Sequence, residues 1–299
     1  MEKSKIKGPL FCIAAAVIWG LSFVAQKAGA SVGTLTFNGI RLLIGGLVLI
    51  PAVFISHKNE NKQGEVKSFD FKGVVKGGLA CGAALFAGTN LQQHAFTFDI
   101  AAGKVAFITA LYMILVPVFG IFLHKKAGLN IWIGVVLGMV GLYFICMTGG
   151  GFGTVGHGEL YALACAFCFA VHIRVVDYYC TKVNNVALSC AQFLVAGAAS
   201  LILMPLFEHF DIHLVLSNSV TILYAGLASC ALGFTFQIFG QKTTDPALAS
   251  LLMCLESVFA AIFGWLILGD ILTSRVLLGC AIMFIGIVVT QIPVKEKAK

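Results

Sequence analysis

Long apolar runs separated by short polar stretches are the dominant pattern of this sequence. Each run is close to the roughly 20 residues with which an α-helix crosses a hydrocarbon core about 30 Å thick. The pattern therefore predicts an all-α protein with ten membrane-spanning helices. The predicted spans are Pro9–Ala28, Thr34–Ser56, Gly73–Phe96, Ala101–Leu123, Ile131–Thr148, Glu159–Tyr179, Ala187–Phe207, Ser219–Gln241, Leu248–Leu268 and Ile271–Ile292.

Composition supports an integral membrane protein. Hydrophobic residues make up 59% of the 299 residues and charged residues 11%, and the mean hydropathy is +0.97. Because soluble domains carry about 25% charged residues, this chain has too little polar surface to stay dissolved as a monomer. The connections are short, and the ninth and tenth spans are joined tightly around Gly269 and Asp270. We expect no soluble domain outside the bundle.

Basic residues predict the orientation in the membrane. Ten spans place both termini on one side, and with that side in the cytoplasm, sixteen of the 20 Lys and Arg residues flank the inner ends of the spans. The net charge of +7 then faces the anionic lipids of the inner leaflet and does not indicate a nucleic-acid partner. The first span resembles a signal peptide, but its removal would leave nine spans, so we expect it to be retained. The prediction is a multi-pass protein of the cytoplasmic membrane with both termini cytoplasmic.

The two halves of the sequence repeat. GPLFCIAAAVIWG from Gly8 aligns with GELYALACAFCFA from Gly158, and Gln93 matches Gln241. Further matched pairs are Pro51 with Pro205, Gly134 with Gly279, and Gly141 with Gly286. Five spans per half is an odd number, so the second copy must enter the membrane upside down. We predict two inverted five-helix repeats, residues 1–149 and 150–299, and repeats of this kind build transporters with a site near the midplane.

Two charged residues lie deep inside predicted spans. Glu256 is the one ionisable residue of the ninth span, roughly 12 Å from its start, and Arg41 lies at a similar depth in the second. A charge at that depth costs at least about 2.5 kcal/mol, and such residues usually face a cavity or a partner. The aligned positions in the other half are Ala110 for Glu256 and Val195 for Arg41. The shared scaffold therefore does not require these charges.

Three interpretations of this pair stay open at the level of sequence. Arg41 and Glu256 neutralise one another directly, or they bracket a substrate, with the guanidinium holding a carboxylate and the glutamate holding an ammonium group. In the third interpretation Glu256 carries a proton that is displaced during transport.

Other polar side chains at similar depths are candidates for the wall of a substrate cavity. The full set of predicted substrate-binding residues is Trp19, Arg41, Asn90, Gln93, Tyr112, Gln192 and Glu256. Amides in spans also join helices to one another, which is the alternative for Asn90 and Gln93. His172 is a candidate proton carrier alongside Glu256, with an interfacial side chain as the alternative.

Several motif matches do not predict an enzyme, a cofactor or a metal site. Gly151–Gly156 fits a dinucleotide fingerprint, but it follows a membrane helix instead of a strand. Cys165 and Cys168 have the spacing of a redox or zinc pair, but they lie inside an apolar helix without a second ligand pair. His94 and Asp99 resemble an acyltransferase box on the outer face. No nucleophile, base and orienting group occur at a readable spacing.

These features together resemble the drug/metabolite transporter superfamily, and within it the EamA-like family. The resemblance rests on the ten spans, the repeats, WGLSFVAQKAG from Trp19, the span that contains Arg41, and LESVFAAIFGWLILGD from Leu255. It implies a central cavity lined by helices one to four and six to nine, with helices five and ten supporting from outside. The family's frequent Glu-Pro pair is Glu256-Ser257 here, which puts a helix kink at that point in doubt.

We therefore expect a secondary-active transporter that exports a small polar or zwitterionic, amino-acid-like metabolite by alternating access, with protons as the candidate coupling ion. The alternatives are an exporter of cationic drugs, an uptake permease, and, from a different class, a membrane receptor or scaffold that transports nothing. We expect a monomer or a weak homodimer in the bilayer.

Overall fold

The computed structural model describes residues 2–63, 70–98, 100, 102–124, 127–147, 156–263, 265–266 and 271–290. Within these residues all regular structure is helical. Nine helical segments among the described residues are long and apolar enough to cross a membrane, and one more, Ser274–Thr290, is apolar but shorter. The predicted all-helical membrane protein is therefore confirmed at this level. The tight connection at Gly269 and Asp270 lies outside the described residues.

The helices follow the predicted spans closely. The first three spans are α1 (Glu2–Ala28), α2 (Thr34–Gln63) and α3 (Phe71–Ala95), the fourth is α4 (Ala102–Thr109) with α5 (Tyr112–Phe122), and the fifth is α6 (Leu129–Cys146). The sixth and seventh are α7 (His157–Tyr179) and α8 (Asn185–Phe207), which the short α9 (Ile212–Ser217) follows. The eighth is α10 (Ser219–Tyr224), a π-helical segment (Ala225–Phe234) and α11 (Thr235–Gln241). The ninth is α12 (Pro246–Met253) with α13 (Glu256–Phe263), and the tenth is α14 (Ser274–Thr290).

Two spans are interrupted at positions that lie two residues apart when the halves are aligned. The fourth span breaks after Thr109 and resumes at Tyr112, and the ninth breaks after Met253 and resumes at Glu256. At the second break the amide of Leu255 bonds the carbonyl three residues earlier, at 3.2 Å, so the turn is tighter than an α-helix. The break occurs although Ser257 stands where the family often has proline. A kink at this point therefore does not depend on proline in this chain.

Contacts between helices cross from one half of the sequence to the other. The second span packs against the seventh (α2 with α8), and the fifth against the tenth (α6 with α14). The sixth span packs against the third and the fourth. In the same way, the first span packs against the eighth and the ninth. When the halves are exchanged, the second–seventh and fifth–tenth pairings map onto themselves, and the other four pairings interchange.

The N-terminus of α2 is held by the end of α8. The Glu208 carboxylate accepts hydrogen bonds from the backbone N–H groups of Leu35 at 2.7 Å and Thr36 at 2.9 Å, and from the Thr36 hydroxyl at 2.9 Å. A carboxylate at this position satisfies free donors and complements the helix dipole. Gly33, just before α2, has a φ of 97°, a conformation that suits glycine. The contact fixes the start of the helix that contains Arg41.

Helices α6 and α14 approach closely through glycines. A Cβ atom built on Gly141 would lie 2.7 Å from the carbonyl oxygen of Gly279, and one built on Gly134 would lie 2.9 Å from that of Gly286. Small residues allow this backbone approach in a membrane, where van der Waals packing drives association. Neither helix contributes a side chain to the central cavity described below.

We predict that Gly141→Val destabilises the protein by about 1–3 kcal/mol, because the added side chain overpacks the α6–α14 contact. Thermal unfolding in detergent measures the change. The control is Val136→Leu, on the same helix, where Val136 is 60% exposed on the outer surface. Equal unfolding temperatures for the two variants would contradict the close packing.

Candidate functional site

A central cavity lies between the halves and is lined by residues of both. Its walls come from the first four spans and from the sixth, eighth and ninth. The lining residues are Trp19, Ser22, Phe23, Gln26, Arg41, Thr89, Gln92, Thr109, Tyr112, Phe169, His172, Ile173, Ser229, Phe234, Gln237, Met253 and Glu256. Seven of these residues are aromatic or apolar and ten are polar or charged, so the wall combines apolar surface with many hydrogen-bonding groups.

Glu256 is the first residue after the break in the ninth span. Its side chain is 5% exposed and lines the cavity. Tyr112, the first residue after the break in the fourth span, lines the same cavity. The two breaks also contact one another, because the thiol of Cys254 lies 3.8 Å from the carbonyl oxygen of Ala110. The carboxyl group of Glu256 and the phenol of Tyr112, which come from different halves and each follow a helix break, therefore line the same cavity.

Arg41 enters the cavity from α2 and is 2% exposed. Its Nε donates a 2.7 Å hydrogen bond to Asn38 Oδ1, and its Cζ lies 5.5 Å from the centre of the Phe37 ring. Among the described residues, neither Arg41 nor Glu256 forms an ion pair. The structure therefore places opposite charges around one cavity without joining them.

Trp19 is held against the π-helical segment of the eighth span. Its Nε1 donates to the carbonyl of Ser229 at 3.2 Å, and its ring lies 4.8 Å from that of Phe234. A Cβ on Gly233 would lie 2.5 Å from the same nitrogen, so the indole needs a glycine there. Segments of π-helix often occur at functional sites. The indole forms a fixed wall of the cavity.

His172 also lines the cavity, and Gln192 lies behind it. One ring nitrogen of His172 is 2.9 Å from Gln192 Oε1, and the ring is 1% exposed. The sequence left open whether the His172 side chain lies at the membrane interface. In the structure it is buried and lines the cavity. Gln192 itself does not line the cavity, and its role in this structure is to hold the imidazole.

Asn90 and Gln93 are likewise one contact removed from the cavity. Asn90 bonds Asn38 and Ser200, and Gln93 Nε2 donates to the backbone carbonyl of Gln26 at 2.9 Å. The predicted candidates thus divide between cavity wall (Trp19, Arg41, Tyr112, His172, Glu256) and supporting contacts (Asn90, Gln93, Gln192). No group of three or more metal-ligating side chains occurs within the described ranges.

Sequence reasoning missed several polar residues of the wall. Gln26 and Gln237 both line the cavity, and the Oε1 atom of each is buried without a hydrogen-bond partner among the described residues. Gln237 Nε2 donates to Gln241 Oε1, whose own Nε2 donates to the carbonyl of Ile173, both at 2.9 Å. The sequence did contain a signal for these residues. Gln26, Gln237 and Gln92 are each a glutamine inside an apolar run.

Comparison with known proteins gives a consistent result. The model of the EamA-like transporter family matches residues 6–147 and 156–292. A Bacillus subtilis protein named "Uncharacterized transporter YwfM" is 29% identical, over 96% of this chain and 95% of its own length. An "Uncharacterized transporter" of Archaeoglobus fulgidus is 26% identical, over 93% of this chain and 84% of its own length. A Salmonella typhimurium protein named "Uncharacterized inner membrane transporter YicL" is 23% identical over 98% of both chains.

A solved crystal structure is similar in fold. It superposes with a TM-score of 0.77 at 18% identity, covering 95% of this chain and 96% of its own. The likeness extends over the whole bundle and is not confined to one half.

Proposed function

The chain belongs to the EamA-like transporter family, and from that premise we propose that it is a secondary-active carrier that exports a small zwitterionic metabolite by alternating access. It is a multi-pass membrane protein, and its family and relatives are transporters. The proposed substrate class is amino-acid-like: one carboxylate, one ammonium group and an apolar side chain. The proposed coupling ion is the proton.

One observation carries the substrate class. Arg41 and Glu256 line the same cavity from different halves and are not paired with one another among the described residues. Each charge is buried, and a buried charge needs a partner. A zwitterion supplies both, its carboxylate to the guanidinium and its ammonium group to the glutamate. The aromatic walls formed by Trp19, Phe169 and Phe234 suit an apolar side chain.

Two further features support alternating access between inverted halves. The contact pattern is unchanged when the halves are exchanged, and two matched glutamines make matched contacts. Gln93 donates to the backbone of the first span, and Gln241 donates to the backbone of the sixth, each at 2.9 Å. We propose that residues 1–149 and 150–299 are inverted repeats with both termini in the cytoplasm.

Proton coupling is proposed for Glu256, with His172 as a second candidate. A carboxyl group in an apolar cavity binds a proton when its cationic partner leaves and releases it when a cation returns. Binding of the substrate's ammonium group would then displace the proton. Export of substrate would be exchanged for entry of protons.

The test is flux in proteoliposomes of a mixed pool of labelled amino acids and organic cations, with and without a pH gradient. We expect selective accumulation of zwitterions that requires the gradient. Accumulation of cations alone would replace the proposal with a drug exporter. An absence of flux for every compound, in protein that unfolds cooperatively, would favour a receptor or scaffold. Movement only in the inward direction would indicate an uptake permease.

A further inference from the structure

A line of buried polar side chains connects α8 to the guanidinium of Arg41 through α3. We call Ser200, Asn90 and Asn38 the polar relay. Ser200 and Asn38 are fully buried, and Asn90 is partly buried. None of the three lines the cavity. Buried polar side chains are costly unless each is satisfied, so a continuous line of them calls for an explanation.

The direction of every hydrogen bond in the relay is determined by backbone carbonyls, which only accept. Ser200 Oγ lies 2.9 Å from the carbonyl of Ala196, so its hydroxyl donates there and its lone pair accepts from Asn90 Nδ2 at 3.0 Å. The second hydrogen of that nitrogen goes to the carbonyl of Phe86, at 2.8 Å. Asn90 therefore presents its oxygen, and not its nitrogen, to Asn38.

The same logic orients Asn38. Its Nδ2 donates to Asn90 Oδ1 at 3.0 Å and to the carbonyl of Thr89 at 3.0 Å, which uses both hydrogens. Asn38 Oδ1 is left to accept from Arg41 Nε, at 2.7 Å. The relay thus ends in an acceptor placed against one nitrogen of the guanidinium. With Nε occupied, the edge formed by the two Nη atoms is the one left for a ligand.

The relay orients Arg41 without neutralising it. Its members are two amides and a hydroxyl, and no described carboxylate forms an ion pair with the guanidinium. An aspartate at position 38 would have made the same bond and cancelled the charge. Because Asn38 stands there, the positive charge is kept for something that enters the cavity. The two Nη atoms form a fork that matches the two oxygens of a carboxylate.

We propose that Asn38, Asn90 and Ser200 are positioning residues that set the carboxylate specificity of the carrier by presenting the Nη edge of Arg41. The inference rests on the function proposed above. In this proposal Arg41 binds the carboxylate, and three residues that do not touch the substrate determine how Arg41 is oriented. It also gives Asn90 a role different from the direct substrate contact predicted by the sequence.

The test compares two labelled pools in proteoliposomes, the L-amino acids and the corresponding amino-acid amides, which lack the carboxylate. The readout is the ratio of acid to amide uptake. We expect Asn38→Leu to lower this ratio about tenfold, the size expected for a lost hydrogen bond to a charged group. In an Arg41→Met background, Asn38→Leu should lower it no further, because the guanidinium that it orients is absent. A loss of the same factor in both backgrounds would overturn the inference.

Ser200→Ala provides a milder test in case Asn38→Leu does not fold. It removes one of the two acceptors of Asn90 Nδ2, at three hydrogen bonds from Arg41, and should lower the acid-to-amide ratio by a smaller factor. The matched control is Ser189→Ala, a buried serine on the same helix whose Oγ has no partner among the described residues. Equal ratios for the two serine variants would overturn the relay. If the wild-type protein moves neither pool, the proposed function and the inference both fall; a wild-type preference for acids that the variants keep removes the inference alone.

Discussion

Glu256→Gln is expected to abolish accumulation of substrate driven by a pH gradient while leaving expression near normal. Glutamine has nearly the same shape as a protonated glutamic acid but neither gains nor loses a proton. Exchange of labelled for unlabelled substrate without a gradient should persist, but at a higher substrate concentration, because the amide oxygen still accepts a hydrogen bond from the ammonium group while the charge is gone. Accumulation with a gradient and exchange without one, measured on the same proteoliposomes, separate coupling from binding.

The structural reason is the isolation of this carboxyl. Glu256 follows a helix break and is 5% exposed, and its carboxyl group has no hydrogen bond or ion pair among the described residues. Its charged form is therefore stabilised chiefly by what enters the cavity. A group whose charge depends on the occupant can link proton release to substrate binding.

Ser257→Ala is the matched control for this prediction. Ser257 is buried in the same helical turn, but it does not line the cavity. Its replacement should leave gradient-driven accumulation unchanged. If Glu256→Gln retains wild-type accumulation at every pH, Glu256 has no part in coupling, and His172 becomes the remaining candidate.

The sequence predicts well those features that depend on length and depth. The apolar runs located the spans, and Arg41 and Glu256 stood out because an ionisable residue inside such a run is costly. Both line the cavity. Depth along the membrane follows from counting residues at a fixed rise, so it tolerates an error of one or two positions.

The direction in which a side chain points around the helix axis cannot be predicted with the same error of one or two positions. Adjacent residues of an α-helix point roughly 100° apart, and Gln92 lines the cavity while Gln93 bonds the backbone of α1. Choosing between them requires knowing which helix packs on which face. The same uncertainty put Asn90 and Gln192 in the predicted wall, although each lies one contact behind it.

The helix breaks are a second kind of feature that local sequence does not determine. Cys254 and Leu255, which form the break before Glu256, both occur within ordinary helices, and the residues directly after them, Glu256 and Ser257, are not proline. The break coincides with a contact to the corresponding break at Ala110 in the other half. Tertiary packing, and not local propensity, decides such a position. The proposed role of Glu256 in proton coupling rests on this position, because Glu256 is the first residue after the break and lines the cavity.

Arg41→Lys is expected to reduce uptake of amino acids by about tenfold or more, while uptake of the corresponding amides changes little. Lysine keeps the positive charge, but it replaces a planar fork with a single ammonium group. It also has no Nε, so the 2.7 Å bond to Asn38 is lost together with the orientation that the bond provides. Losing one charge-assisted hydrogen bond costs about 1.5–3 kcal/mol, which corresponds to roughly tenfold or more in affinity.

Amino-acid amides show whether Arg41 binds substrate or only supports the structure. They have the ammonium group and the side chain of the amino acids but lack the carboxylate. If Arg41 serves only to hold α2 in the bundle, acids and amides should lose uptake equally, and the unfolding temperature should fall with them. If it holds the carboxylate, the loss is confined to acids, and the concentration for half-maximal acid uptake rises while the amide value stays. A loss confined to acids would also explain why this cavity keeps a guanidinium that has no ion pair within the described part of the chain, since a carboxylate-bearing substrate supplies the missing charge.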